Sequence, residues 1–389
     1  MGRVFITDAG LRNTVSAIRS LGKRGMDIIC GEDNLLAMGF FSKYCHRRVV
    51  YPSAKNSPGK WVEFMLTELS RDKYDMLLPM DDDTVMLVAK NKEVFSKYTR
   101  IPVPDYNRLM RARSKAKTYE YAIRNDIPCP RTYFVHSLDD VKRFVSKIEF
   151  PVVIKPEQSS GARGIVYVEN KNMLYDEYLK VHQKYEFPMI QEYIPPGGVT
   201  YGIFALLNYD SQALAIFAHR RLREFPLSGG PSTLRESVWR PDLVDLGFRL
   251  LKAMEWYGVA MVEFKEDPRD GIPKLMEVNP RFWGSLELSI LSGVDFPYLL
   301  YRMVVDGEVN PVTTYRVGVR CRWLVGDILH FLANPERFTM NPSFFKFFDK
   351  KMGYDILSIT DPGPAVGLFL SSGRDLFNGK RWKYVLRRN

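Results

Sequence analysis

The residue types best suited to chemistry gather late in the chain, in Met261-Val-Glu263-Phe264 and Leu275-Met-Glu277-Val-Asn279-Pro-Arg281. A strand alternates its side chains, so Glu277, Asn279 and Arg281 fall on one face. Antiparallel pairing through the turn Asp267-Pro-Arg-Asp-Gly271 would bring Glu263 to that face. Two carboxylates and an amide oxygen are hard ligands. They suit Mg²⁺, which takes one or two carboxylates with phosphate oxygens and water. Arg281 would offer the same phosphates a fixed, permanently charged fork. The apolar neighbours Leu275, Met276 and Val278 argue against a solvated surface hairpin.

A second constellation lies upstream. Lys155 ends the apolar run Pro151-Val-Val-Ile154 and precedes a loop of small residues, Ser159-Ser160-Gly161-Ala-Arg-Gly164. Such a lysine can hold a phosphate by charge while glycines let backbone N–H groups come close. It can equally be an exposed lysine before a flexible loop, and no GxxxxGK[ST] motif is present. A third stretch, His219-Arg220-Arg221-Leu-Arg223, leads to Ser228-Gly229-Gly230. On a strand His219, Arg221 and Arg223 share a face and Arg220 takes the other. That face is either a carboxylate or γ-phosphate holder or a basic strand in solvent. No Ser/His/Asp or Cys/His arrangement suggests a side-chain nucleophile.

The elements that must position these groups can be read from periodicity and turns. Strand 4–7, a helix with Val15, Ile18 and Leu21 on one face, and strand 26–30 make a βαβ unit, followed by strands near 47–51 and 75–79. The first turn, Asp8-Ala-Gly10-Leu-Arg12-Asn13, lacks the glycines of a dinucleotide fingerprint, so NAD is not expected. Asp81-Asp82-Asp83 is read as a helix cap in preference to a substrate contact. Prolines 102 and 104 mark a boundary. Beyond it a helix over 115–125, strands at 150–155, 165–168, 189–194, 200–207 and 213–221, a helix over 241–257, and paired strands 259–265 and 273–278 predict an α+β module that covers a ligand.

Composition sets the outer limits. The chain has 389 residues, 46% of them hydrophobic, enough for two or three domains with real cores. No apolar run reaches the ~20 residues of a membrane-spanning helix. The start is read as a strand and not a signal peptide, which places the protein in the cytoplasm. Four scattered cysteines form no CxxC pair, and Cys45-His46 alone makes a poor metal site. The net charge of +11 favours polyanionic partners, nucleotide phosphates among them.

Taken in order, Lys115, Lys155, the glycine loop, Gln191-Glu192-Tyr193-Ile194, Glu263, Glu277, Asn279 and Arg281 resemble the ATP-grasp superfamily of carboxylate–amine (and –thiol) ligases and carbamoyl-phosphate-synthase-like proteins. The resemblance covers about 1–308. It implies an α/β and α+β protein: a Rossmann-like pre-ATP-grasp domain over 1–105, then a two-lobed ATP-grasp domain over 106–308 with a lid lobe near 128–195. Residues 309–389 remain as a basic and aromatic extension. The resemblance further implies ATP and Mg²⁺ (or Mn²⁺) as cofactors. Lys115 and Lys155 would contact the α- and β-phosphates, and Ser159, Ser160, Gly161 and Gly164 would form the lid. The backbone of Gln191, Tyr193 and Ile194, with Glu192, would read adenine. Glu263, Glu277 and Asn279 would hold metal, and Arg281 with Lys155 would act in catalysis. Arg220, Arg221, Ser228, Gly229 and Gly230 would face the substrate. Residues 195–201 carry no acid where many relatives hold the ribose.

The activity so implied is ATP-dependent ligation through an acyl phosphate, with ADP and phosphate as products and small-molecule carboxylate and amine substrates. The rivals are a carboxylase-like or carbamoyl-phosphate-like enzyme using bicarbonate and a non-catalytic ATP-binding regulator. A homodimer is compatible with either class. The tail from 373 carries six Lys/Arg against one Asp, with aromatics between, so it either packs as a helix on the body or touches a membrane surface or nucleic acid.

Overall fold

The computed structural model describes residues 2–157, 164–307 and 309–377, with side chains described as far as 371. Three sheets organise the chain. The first holds β1 (Arg3–Ile6), β2 (Asp27–Glu32), β3 (Cys45–Val50) and β4 (Met76–Leu78), all parallel, in the order β3-β2-β1-β4. Parallel strands are covered on both faces, which explains the fully buried run Val4, Phe5 and Ile6. The helix Arg12–Gly22 follows β1 and packs on the helices Leu286–Ser292 and Phe296–Tyr301. The helix Asp82–Lys90 starts at Asp81, which forms a capping box with Thr84.

The second sheet is antiparallel, in the order β5-β8-β6-β7: β5 (Thr132–Tyr133), β6 (Val152–Lys155), β7 (Val166–Val168) and β8 (Met189–Glu192). With the helices Leu138–Val145 and Lys171–His182 it closes a small core of its own around Val141, Ile154, Leu174, Tyr178 and Ile190. β8 stops at Glu192, two residues short of the run read as strand, because Pro195 and Pro196 follow at once.

The third sheet has seven strands in the order β13-β12-β9-β10-β11-β14-β15. They are β9 (Thr200–Leu207), β10 (Ala213–Glu224), β11 (Ser232–Ser237), β12 (Gly258–Glu266), β13 (Pro273–Asn279), β14 (Arg320–Arg322) and β15 (Met352–Tyr354). Every pairing is antiparallel except β14 with β15. One face packs Phe204, Phe217 and Trp283 into a core shared with Val4 and Ile6 of the first sheet. The other takes the helix Pro241–Ala253 through Leu243 and Leu250.

β11 is a strand that the sequence does not predict, since Ser-Thr-Leu-Arg-Glu-Ser has no apolar pattern. It is nonetheless buried throughout because charges meet it from both sides. Arg235 pairs with Asp355, and Glu236 with Arg220 and Arg320. The residues after 308 are not merely appended: β14 and β15 extend the central sheet, and Asp361 reaches Arg19 of the first helix at 2.9 Å. Among the described residues no single helix is long and apolar enough to cross a membrane.

Candidate active site

The β12–β13 hairpin sets the chemistry. Its register places Glu263 directly opposite Glu277 and Met261 opposite Asn279, and a bulge follows Glu263. Directly paired residues project to the same face, so the two carboxylates stand side by side. Asn279 donates its amide nitrogen to Glu277 Oε1 at 2.9 Å, which leaves the amide oxygen as the donor atom toward a cation. Among the described residues no group of three or more His, Cys, Asp or Glu side chains forms a metal cage. Two carboxylates and one amide form instead an incomplete oxygen set that leaves positions for phosphate and water. That fits Mg²⁺.

Opposite charges converge on this pair. Arg221 of β10 donates to Glu263 and to the carbonyl of Gly230 at 3.0 Å. The contact crosses β9, where Gly202 faces both Glu263 and His219 in register. A Cβ at 202 would stand 2.8 Å from His219 Nε2, so glycine is what lets these side chains close over the strand. Burial pushes the Glu263 carboxyl up to about 7; Arg221 pulls against that rise and Glu277 adds to it. Lys155 is buried at the end of β6 and donates to Gln191 Oε1 at 2.9 Å and Tyr119 Oη at 3.3 Å. Burial holds its ammonium below the usual range, opposed by Glu277 and Glu263. Lys115 begins the helix Lys115–Arg124, capped by Ser114, and burial lowers it against the pull of Glu277.

These groups line one cleft of about 490 Å³ with Tyr119, Tyr167, His219, Ser228, Gly229, Gly230, Arg281 and Trp283. A larger groove of about 600 Å³, between Tyr74, Arg100 and Tyr209, contains none of them. Arg281 lies past the end of β13 and not on it. It enters the cleft by pairing with Asp82 at 3.0 Å and donating to the carbonyl of Phe282 at 2.8 Å. Asp82 also meets Arg113 at 3.3 Å. The acidic run therefore divides its work: Asp81 caps the helix and Asp82 anchors a cleft arginine.

Several expected residues stand elsewhere. Arg220 points to the opposite face of β10 and grips Glu236 at 2.9 and 2.6 Å, because adjacent strand residues alternate. Arg223 leaves the face of Arg221 at a bulge and is buried against Asp327. Glu192 is held outside the cleft by Arg269 and Lys274 and accepts from the Arg131 amide at 3.0 Å. Gln191 is buried, donates to Thr132 Oγ1 at 2.8 Å and holds Lys155. Tyr193 meets the edge of Tyr167, and the Ile194 carbonyl accepts from Lys265 at 3.4 Å. Ser159, Ser160 and Gly161 lie outside the described residues; Gly164 is left-handed, with φ 74°.

The sequence reading missed two contributors to the cleft. Arg12 is the first residue of the helix after β1, at the carboxyl end of a parallel strand, where α/β sheets place ligands. It stacks 4.0 Å over Trp323 and pairs with Asp355 at 2.8 Å. Tyr119 donates to the Met276 carbonyl at 2.6 Å, tying the Lys115 helix to β13. His219, read only as part of a basic face, is buried with neither ring nitrogen partnered. Burial, then Arg235 and Arg221, hold it well below the usual imidazole range, so it stays neutral.

Comparison with known proteins gives two adjoining family matches. Residues 112–199 match a RimK-like ATP-grasp domain, and residues 195–326 match "ATP-grasp in the biosynthetic pathway with Ter operon". Together they span more than half of the chain. The sequence is 26% identical over 300 residues to D-aspartate ligase of Enterococcus faecium, covering 70% of this chain and 69% of that one. It is 31% identical over 96 residues to the alpha-aminoadipate–LysW ligase of Saccharolobus solfataricus, 24% of this chain and 35% of that one. A crystal structure of biotin carboxylase from Campylobacter jejuni superposes with TM-score 0.69 at 16% identity, over 82% of this chain and 74% of that one.

Proposed function

We propose that this chain, which belongs to the ATP-grasp superfamily, is an ATP- and Mg²⁺-dependent ligase that joins a small-molecule carboxylate to an amine. The observation that carries the reading is the convergence of Glu263, Glu277 and Asn279 with Lys155 and Arg281 in a single cleft. The relatives named as ligases support the C–N bond. The carboxylase-like alternative is supported by likeness of fold, and the carbamoyl-phosphate-like one by 26% identity over 211 residues that covers only 19% of a carbamoyl phosphate synthase large chain.

In the proposed reaction a substrate carboxylate oxygen bonds to the γ-phosphorus of ATP as the bond to the β-phosphate oxygen breaks, releasing ADP. The amine nitrogen then bonds to the acyl carbon, the C–O bond breaks, phosphate leaves and the ammonium proton is lost. Mg²⁺ held by Glu263, Glu277 and Asn279 would neutralise phosphate charge. Lys115 and Lys155 would bind phosphates, with Gln191 fixing the Lys155 ammonium. Arg281, steadied by Asp82, would meet the charge that moves with the γ-phosphoryl group. Arg221 with Ser228, Gly229 and Gly230 would hold the acyl end. Adenine would lie along the backbone of Gln191 to Ile194. The reading places the enzyme in the cytoplasm, where ATP is supplied, and is compatible with a homodimer.

The test is an ADP-release screen of amino acids and dicarboxylates, each with and without an amine. With an active pair, ¹⁸O in the carboxylate should appear in inorganic phosphate. AMP and pyrophosphate as products would overturn the reading.

A further inference from the structure

We propose that the surface built by residues 325–370 docks the enzyme on an anionic lipid membrane, its apolar tips entering the interface and its cations meeting the headgroups. This inference is independent of the ligase reading. It starts from two helices that are inside out. The helix Leu324–Ala333 buries its polar side chains: Asp327 accepts from Arg223 at 2.7 and 2.8 Å, and His330 Nδ1 meets the Glu224 carbonyl at 2.7 Å. Its exposed positions are Val325, Ile328, Leu332 and Ala333, all apolar. A surface helix of a protein surrounded by water shows the reverse.

The helix Gly363–Phe377 repeats the pattern by size. Gly367 lies against the protein, where a Cβ would come within 2.8 Å of the Met38 backbone, while Val366, Phe369 and Leu370 face out. Trp323, which precedes the first helix, and Ala365 and Leu368 of the second pack against the same small core of Val15, Met38 and Ile356. At the other end of the first helix Phe331 touches the rings of Phe338 and Phe345, which are themselves exposed. Phe348 and Ile359 are wholly exposed.

The charges identify the partner. Between the aromatics stand Arg337, its guanidinium 5.4 Å from the Phe338 ring, and the exposed Lys346, Lys350 and Lys351. The three aspartates Asp327, Asp355 and Asp361 are turned inward onto buried arginines, which leaves Glu336 and Asp349, the latter 3.9 Å from Lys346, as the remaining acids within 325–370. The sequence beyond the described residues adds Lys380, Arg381, Lys383, Arg387 and Arg388 with no acid, and Trp382 and Tyr384 among them. Apolar and aromatic tips interleaved with cations fit an anionic bilayer surface. A second copy seated on this face would set cations against cations.

The experiment is sedimentation of the full-length protein with phosphatidylcholine vesicles, with and without phosphatidylglycerol. The protein should pellet with the anionic vesicles, and added salt should release part of it. Phe348→Ser/Ile359→Ser/Phe369→Ser should lower the bound fraction about ten-fold or more while Mg-ATP binding in solution is unchanged. Lys350→Glu/Lys351→Glu, at exposed positions, should weaken binding to anionic vesicles only. Failure of the wild type to pellet with phosphatidylglycerol would overturn the proposal. So would full binding by both variants, or a dimer that the serine variant abolishes without any affinity for lipid.

Discussion

Two sets of buried charges sit in this molecule, and they are compensated to different degrees. Along the seam that the residues after 308 form with the central sheet and with the first domain, the aspartates are saturated. Asp327 takes Arg223 through two hydrogen bonds, Thr233 at 3.0 Å and Arg322 at 3.3 Å; Asp361 takes Arg19 at 2.9 Å, Ser42 Oγ at 2.8 Å and the Lys43 amide at 2.9 Å. In the cleft Glu263 and Glu277 face each other with one strong donor apiece, and burial opposes the charge of both Glu263 and Lys155. Charges that are fully paired hold a structure together. Buried charges left short of partners in a cleft are poised for a ligand that completes them. The seam is structural and the cleft is chemical, although both are built from Arg, Asp and Glu.

The sharpest way to break this contrast is to cut the seam. Asp327→Ala strands Arg223 and Arg322 in the interior and should cost about 3–5 kcal/mol of folding free energy, read by urea denaturation. A neutral result would mean that water reaches these arginines and that the seam does not hold the C-terminal strands. The cleft should respond in the opposite way. Glu277→Gln removes one of two facing carboxylates, so the fold should keep or gain thermal stability while turnover falls about 10²-fold. Near-normal Mg²⁺-dependent ADP release would remove the metal assignment.

A smaller effect is expected at Arg281→Ala. Loss of a hydrogen bond to a charged group is worth about 1.5–3 kcal/mol, and it should appear in kcat more than in ATP affinity, since the arginine is proposed to act where charge moves. Equal losses in both would make Arg281 a plain binding residue.

The smallest effect concerns carboxylates buried without a cation. Burial raises Asp8 to about 6 and Glu32 to about 7. The folded state therefore keeps protons that the unfolded chain releases near pH 4, and stability falls as pH rises from about 4 through 7. Glu32→Gln should flatten that slope in melts taken across this range. An unchanged slope would show that other groups set it.

The sequence by itself determined the local part of the site. Glu263, Glu277 and Asn279 could be put on one face because a hairpin with a two-residue period carries its own register, bulge aside. Lys155 could be placed at a strand end for the same reason. The tertiary structure alone decided what depends on distant pairing. It spent Glu192 on Arg269 and Lys274, turned Arg220 away from the cleft and brought in Arg12 and Asp82 from the first sheet. It also made β11, β14 and β15 strands of the central sheet, although their residues show no apolar alternation. The reason is physical. Periodicity reports which side of an element faces apolar surroundings, whereas a buried charge is stabilised by whichever partner the fold brings to it, and Asp355 is 120 residues from the Arg235 it neutralises.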